Sequence, residues 1–121
     1  MPMRGIRGAI TVDADDPELI AQATCELLEA ILQENGDIYL DDIASVIFTT
    51  TEDIASVYPA LAARQMGWDQ VPMMCAREIP VPGSLPYCIR VLIHWNIDKE
   101  QREIKHVYLR EAVKLRPDLV K

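Results

Sequence analysis

An imbalance restricts the fold more than any single motif: five strand-like segments share one long amphipathic helix. Alternating or consecutive apolar residues predict strands at 4–12, 43–51, 71–75, 87–97 and 105–109, with Val46, Ile47 and Phe48 marking a strand covered on part of both faces. The helix starts at a cap on Asp15 or Asp16, takes Pro17 in its first turn and stops at Asn35-Gly36. Ile20, Ala23, Leu27 and Ile31 form its apolar stripe, widened by Leu28 and Leu32, while Glu18, Gln22, Glu26, Glu29 and Gln33 face water. A second helix is expected at 59–66. Pro59 opens it, because proline is poorly tolerated inside a helix, and Gly67 closes it, leaving 52–58 as a turn. Three prolines and Gly83 make 77–86 a long irregular loop, and a short helical turn and an exposed tail follow the last strand.

This order predicts an α+β domain: a mixed sheet of about five strands with its helices on one face. The 121 residues leave room for one core, so 1–121 is read as a single domain. Two helices cannot cover both faces of such a sheet, and burial of the open face against sister subunits is expected. No apolar run approaches a membrane span, and the first residues lack the apolar core of a signal peptide, so no membrane partner and a cytoplasmic location are expected. Cys25, Cys75 and Cys88 are odd in number and far apart, which fits reduced thiols. The net charge of −7 argues against nucleic acid as a partner. That average hides a split. Residues 1–57 carry 12 acidic groups against Arg4 and Arg7, whereas 58–121 carry 10 basic and 7 acidic groups. The split fits either an acidic, solvated first helix or an anion site built from the second half.

Several side chains look chemically out of place. In 87–93, alternation puts Tyr87, Ile89, Val91 and Ile93 on one face and Cys88, Arg90, Leu92 and His94 on the other. A guanidinium at Arg90, in mid-strand among apolar neighbours, needs an internal carboxylate or an anionic ligand; few acids in the second half lie away from loops. Arg7 shares its face with Gly5, Ala9 and Thr11, which suits a pocket wall or a gatekeeping charge on an edge strand. Tyr108 shares a face with His106 and is either a carboxylate donor or a half-buried core residue. Cys75 and Glu78, at a strand end and in the following loop, could meet one hydroxyl. No adjacent His or Lys activates Cys75 as a nucleophile, and Cys75, Cys88, His94 and His106 fit no zinc spacing. No phosphate loop, serine triad or paired carboxylates occur. The chain instead supplies Arg7, Arg64, Arg90 and Arg116 in separate elements, a set for binding a dianion and stabilising charge.

The series Arg4-Gly-Ile-Arg7-Gly-Ala, Ala63-Arg64 leading to Gly67-Trp68, Val71-Pro72, Cys75-x-x-Glu78, Cys88-Ile-Arg90-Val, His106-Val-Tyr108-Leu and Ala112-Val-x-Leu115-Arg116-Pro117-Asp118-Leu119 resembles the small monofunctional α/β chorismate mutases over nearly the whole chain. The resemblance implies a homotrimer with a pseudo-α/β-barrel core and active sites between subunits. It also implies the Claisen rearrangement of chorismate to prephenate, in phenylalanine and tyrosine biosynthesis, with no cofactor, metal or covalent intermediate. By position, Arg90 would contact the ether oxygen and a carboxylate, Arg7 and Tyr108 would hold carboxylates, and Glu78 and Cys75 would meet the ring hydroxyl. Arg64 and Arg116 would lie at the mouth, with Tyr58 and Leu115 as apolar walls. Leu61 and Met74 stand at the rim where the family can carry a lysine and a threonine. The alternative is a non-catalytic trimeric module that binds a dicarboxylate or aromatic metabolite with the same arginines.

Overall fold

The computed structural model describes residues 2–36 and 38–115. Five strands, β1 (Met3–Thr11), β2 (Ile43–Thr50), β3 (Met73–Arg77), β4 (Cys88–Asn96) and β5 (Val107–Tyr108), form one mixed sheet in the order β3-β2-β4-β1-β5. β4 is central and antiparallel to both β2 and β1, while β3 and β5 lie parallel to their neighbours at the two edges.

Helix α1 (Pro17–Asn35) is capped by Asp16, whose Oδ2 accepts from the Leu19 amide at 3.1 Å, and is closed by Gly36 at φ 59°. Asp15, the other candidate cap, accepts instead from the Ser56 amide at 3.0 Å and ties the 51–58 turn to the start of α1. The stripe of Ile20, Ala23, Leu27, Leu28 and Ile31 is fully buried among Ile6, Ile10, Val46, Phe48, Ile89, Ile93 and Trp95 of the sheet. Leu27 and Ile31 come close because β1 carries Gly8 beneath them. A Cβ there would meet Ile31 Cδ1 at 2.9 Å, Leu27 Cδ1 at 3.2 Å and the Val107 carbonyl oxygen at 3.2 Å.

Three elements depart most from the expected bounds. The third strand begins at Met73, since Pro72 has no N–H for the ladder and contributes its carbonyl to Val46 N at 2.9 Å. It then runs on through Arg77, whose Nη1 donates to Thr50 Oγ1 and the Thr51 carbonyl at 3.2 and 2.8 Å. The last strand shrinks to Val107–Tyr108 because the Asn35 side chain takes both ladder groups of Lys105, accepting from its N–H and donating to its C=O, each at 2.9 Å. The second helix, α2, is regular only over Pro59–Ala63, then widens into a π-type turn at Arg64–Trp68 with Gly67 at φ 105°.

The two sheet faces differ as the imbalance of strands and helices predicts. Along β4, Ile89, Val91, Ile93 and Trp95 are buried under the helices, while Arg90, Leu92, His94 and Asn96 on the opposite face stay half-exposed. Replacing Gly8 by alanine presses a methyl group against a backbone carbonyl and two core side chains, so thermal or urea unfolding of Gly8→Ala is expected to show a loss of about 1–2 kcal/mol.

Candidate active site

Strand register gathers the chemically unusual residues on the open face. Ala9 of β1 pairs with Arg90 on one side and with Tyr108 on the other, and Arg7 lies two residues along β1 on the same face. Arg90 and Tyr108 thus stand on the strands either side of β1, flanking a methyl group, while Arg7 projects into solvent beside them. A short 3-10 stretch, Arg110–Leu115, folds back over one end of this face. Its Ala112 packs with Ala9, Cys88 and Tyr108 into a small second core, which half-buried Leu85 and Leu115 complete.

Arg90 has an internal partner that the sequence did not make obvious. Glu78, just beyond β3, places Oε2 3.6 Å from Arg90 Nε, with the two side chains 36% and 25% exposed. Thr49, in register with Arg90 on β2, donates its hydroxyl to the same Oε2, and Glu78 N donates to the Thr50 carbonyl at 2.9 Å. Thr49 escaped sequence reasoning because its relation to Arg90 exists only once β2 and β4 are in register. Even so, Arg90 Nε and the Tyr108 hydroxyl are buried without a hydrogen-bond acceptor among the described residues. Burying such donors unpaired costs about 1–3 kcal/mol each, a cost that an anionic ligand at this spot would remove.

The remaining candidates lie elsewhere in the same chain. Cys75 pairs with Phe48, which places it on the helix-covered face, opposite to Thr49 and Arg90. It lines a cleft of about 360 Å³ at the β3 edge with Tyr58, Arg64, Val71, Met73 and Met74. Tyr58 and Met74 are 71% and 63% exposed there. Glu78 and Cys75, which could have met one hydroxyl, are therefore turned to different faces. His106, expected beside Tyr108, accepts from Arg7 N through Nδ1 at 2.9 Å. Arg116 lies outside the described residues. Among the described residues no three His, Cys, Asp or Glu side chains gather where they could hold a metal ion.

Burial holds the Cys88 thiol above its ordinary pKa, although the Arg90 guanidinium beside it pulls the other way. Cys25 is raised too, by burial and the nearby Glu29 carboxylate. Both thiols stay protonated near neutral pH and offer no nucleophile.

The chain as a whole is similar to known proteins. Residues 3–119 match the model of the family described as chorismate mutase type I. Chorismate mutase AroH of Thermus thermophilus is 61% identical over 117 residues, covering 97% of this chain and 96% of its own. Chorismate mutase AroH of Bacillus subtilis (strain 168) is 45% identical over 120 residues, covering 98% and 94%. A solved chorismate mutase from Clostridium thermocellum superposes with a TM-score of 0.86 at 49% identity, covering 89% of this chain and 96% of that one. The chain belongs to the chorismate mutase type I family and is an enzyme of that kind, a chorismate mutase.

Proposed function

We propose that the protein converts chorismate to prephenate at sites shared between subunits of a homotrimer, with Arg90 as the principal catalytic residue. The observation that carries this reading is a pair of buried donors that make no hydrogen bond among the described residues, the Tyr108 hydroxyl and Arg90 Nε, the latter held only in a 3.6 Å ion pair with Glu78, on the strands either side of Ala9. An ether oxygen and a carboxylate of the substrate supply the hydrogen-bond acceptors that these two donors lack. Arg7 holds a carboxylate from the adjoining position on β1, and Leu115 closes the apolar end.

The reaction is an intramolecular rearrangement in which the ether C–O bond breaks as a C–C bond forms, and no proton or electron leaves the molecule. Negative charge grows on the enolpyruvyl oxygen and positive charge on the ring as the bond breaks. A fixed guanidinium aimed at that oxygen binds the transition state more tightly than the substrate, which is the condition for raising the rate. A millionfold acceleration corresponds to about 8 kcal/mol, and one well-aimed donor contributes about 3–4 kcal/mol of it. Carboxylate clamps at Arg7 and Tyr108 contribute by holding the side chain over the ring in the reactive shape. Glu78 stands where it can balance the ring's positive charge or receive the ring hydroxyl, with Thr49 fixing its oxygen.

Cys75, Tyr58, Arg64 and Met74 complete the site from a neighbouring copy. Their cleft lies at the β3 edge, at the far end of the strand order from β5 and Tyr108, so one chain does not close it around the same ligand. The half-exposed face of β4 supplies the surface on which copies pack.

Two variants test the assignment, with purified protein and chorismate alone, prephenate being confirmed by acid conversion to phenylpyruvate. Arg90→Lys keeps the charge but loses the forked geometry, and kcat/KM is expected to fall at least about 100-fold in a folded protein. Near wild-type turnover would remove Arg90 from its role. Cys75→Ser, which keeps a polar contact but no thiol, should retain activity within about tenfold of wild type. Complete inactivity of the folded variant would point to covalent chemistry instead.

A further inference from the structure

We propose that Asp53 is a positioning residue for Arg90, acting through the left-handed backbone of Tyr87; this rests on the role given to Arg90 above. Strand β4 starts at Cys88, two residues before Arg90, so the peptide at 87–88 sets where the guanidinium begins. Tyr87 sits at φ 50°, a region that tyrosine disfavours and that persists where the surroundings impose it.

Asp53 imposes it. The Tyr87 N–H donates to both carboxylate oxygens of Asp53, at 3.2 and 3.0 Å, and the Tyr87 carbonyl accepts from Val12 N at 2.9 Å. Asp53 Oδ1 also accepts from the Thr51 hydroxyl, whose oxygen in turn accepts from Cys88 N at 3.0 Å. Thr51 N then donates to the Cys88 carbonyl at 3.1 Å. The carboxylate therefore grips the peptide groups on both sides of Tyr87, directly and through one hydroxyl. Asp53, Glu78 and Arg90 line a single cleft of about 290 Å³, so the same anchor fixes the wall that faces the guanidinium. A displacement of about 1 Å in a catalytic group is enough to cost about 100-fold in rate, which is the scale on which such an anchor acts.

The test is steady-state kinetics on the full chain. Asp53→Ala is expected to lower kcat about 10- to 100-fold with a smaller change in KM, because Arg90 works on charge that grows in the transition state. Asp53→Asn, which keeps one acceptor for Tyr87 N, should lose less. Adding Tyr87→Gly to Asp53→Ala is expected to recover most of the lost kcat, since glycine adopts φ 50° without strain, even though the lost tyrosine packing lowers the melting temperature. A merely structural turn would show the opposite, with the second substitution deepening the loss. Unchanged kcat in Asp53→Ala, or a loss that Tyr87→Gly does not recover in a folded protein, overturns the inference. Where Asp53→Ala is too unstable to purify, Asp53→Asn with and without Tyr87→Gly gives the same comparison. Arg90→Ala runs alongside: full activity there defeats the site assignment itself, whereas a dead Arg90→Ala beside a fully active Asp53→Ala defeats the anchor alone.

Discussion

A single long helix covers one face of a five-stranded sheet, and what lies on the other face must find its cover elsewhere. That constraint orders the whole molecule. It turns Ile89, Val91, Ile93 and Trp95 of the central strand into core and leaves Arg90, Leu92 and His94 on a half-exposed surface. The 3-10 stretch after β5 seals only one end of that surface, over Ala9, Cys88 and Tyr108. Partly dry and partly open ground of this kind lets a guanidinium be held without being satisfied, and catalysis by charge stabilisation requires that.

The charge arrangement follows from strand register. With β4 between β2 and β1, Arg90 has Thr49 on one side and Ala9 on the other, and Tyr108 lies one strand beyond Ala9. Thr49 holds the Glu78 carboxylate, which stands 3.6 Å from Arg90 Nε without a hydrogen bond to it, and the Tyr108 hydroxyl two strands away also lacks an acceptor among the described residues, so both donors are open to an anion. None of these groups needs to move a proton, in keeping with a rearrangement that conserves every atom of its substrate. The elements around the site are pinned by side chains that reach backbone: Arg77 to the 51–54 turn, Asn35 to Lys105, and Arg110 to the Thr11 carbonyl at 2.9 Å.

Much of this was legible in the residues because the signals were local. The α1 stripe, its proline and its glycine stop sit where their spacing puts them, and alternation along β4 assigned Arg90 to the face opposite the core. Pairings between distant segments were not legible. Asn35 capturing Lys105 shortened the last strand through a contact that no window of sequence contains, whereas Pro72 moved the start of the third by a local signal, its missing N–H. Glu78 as partner of Arg90, and Thr49 as its support, likewise required the register of three strands. The separation of Cys75 from Glu78 is of another kind: an odd spacing of three along extended backbone turns them to opposite faces, which alternation alone implies. The family resemblance supplied what composition could not, namely the reaction and the expectation that sites are shared between copies.

In the proposed assembly, one catalytic site takes its Arg90 face from one chain and its Arg64 cleft from another. Subunit mixing tests it most directly. Arg90→Ala and Arg64→Ala chains, each expected to be nearly inactive alone, are co-refolded and assayed with chorismate. Random assembly into trimers with sites between neighbours leaves about a quarter of the sites with both intact halves, so activity should reappear at about that fraction of wild type. A mixture no more active than its separate parents, despite verified exchange of subunits, would show that the Arg90 face and the Arg64 cleft do not meet in one site between chains.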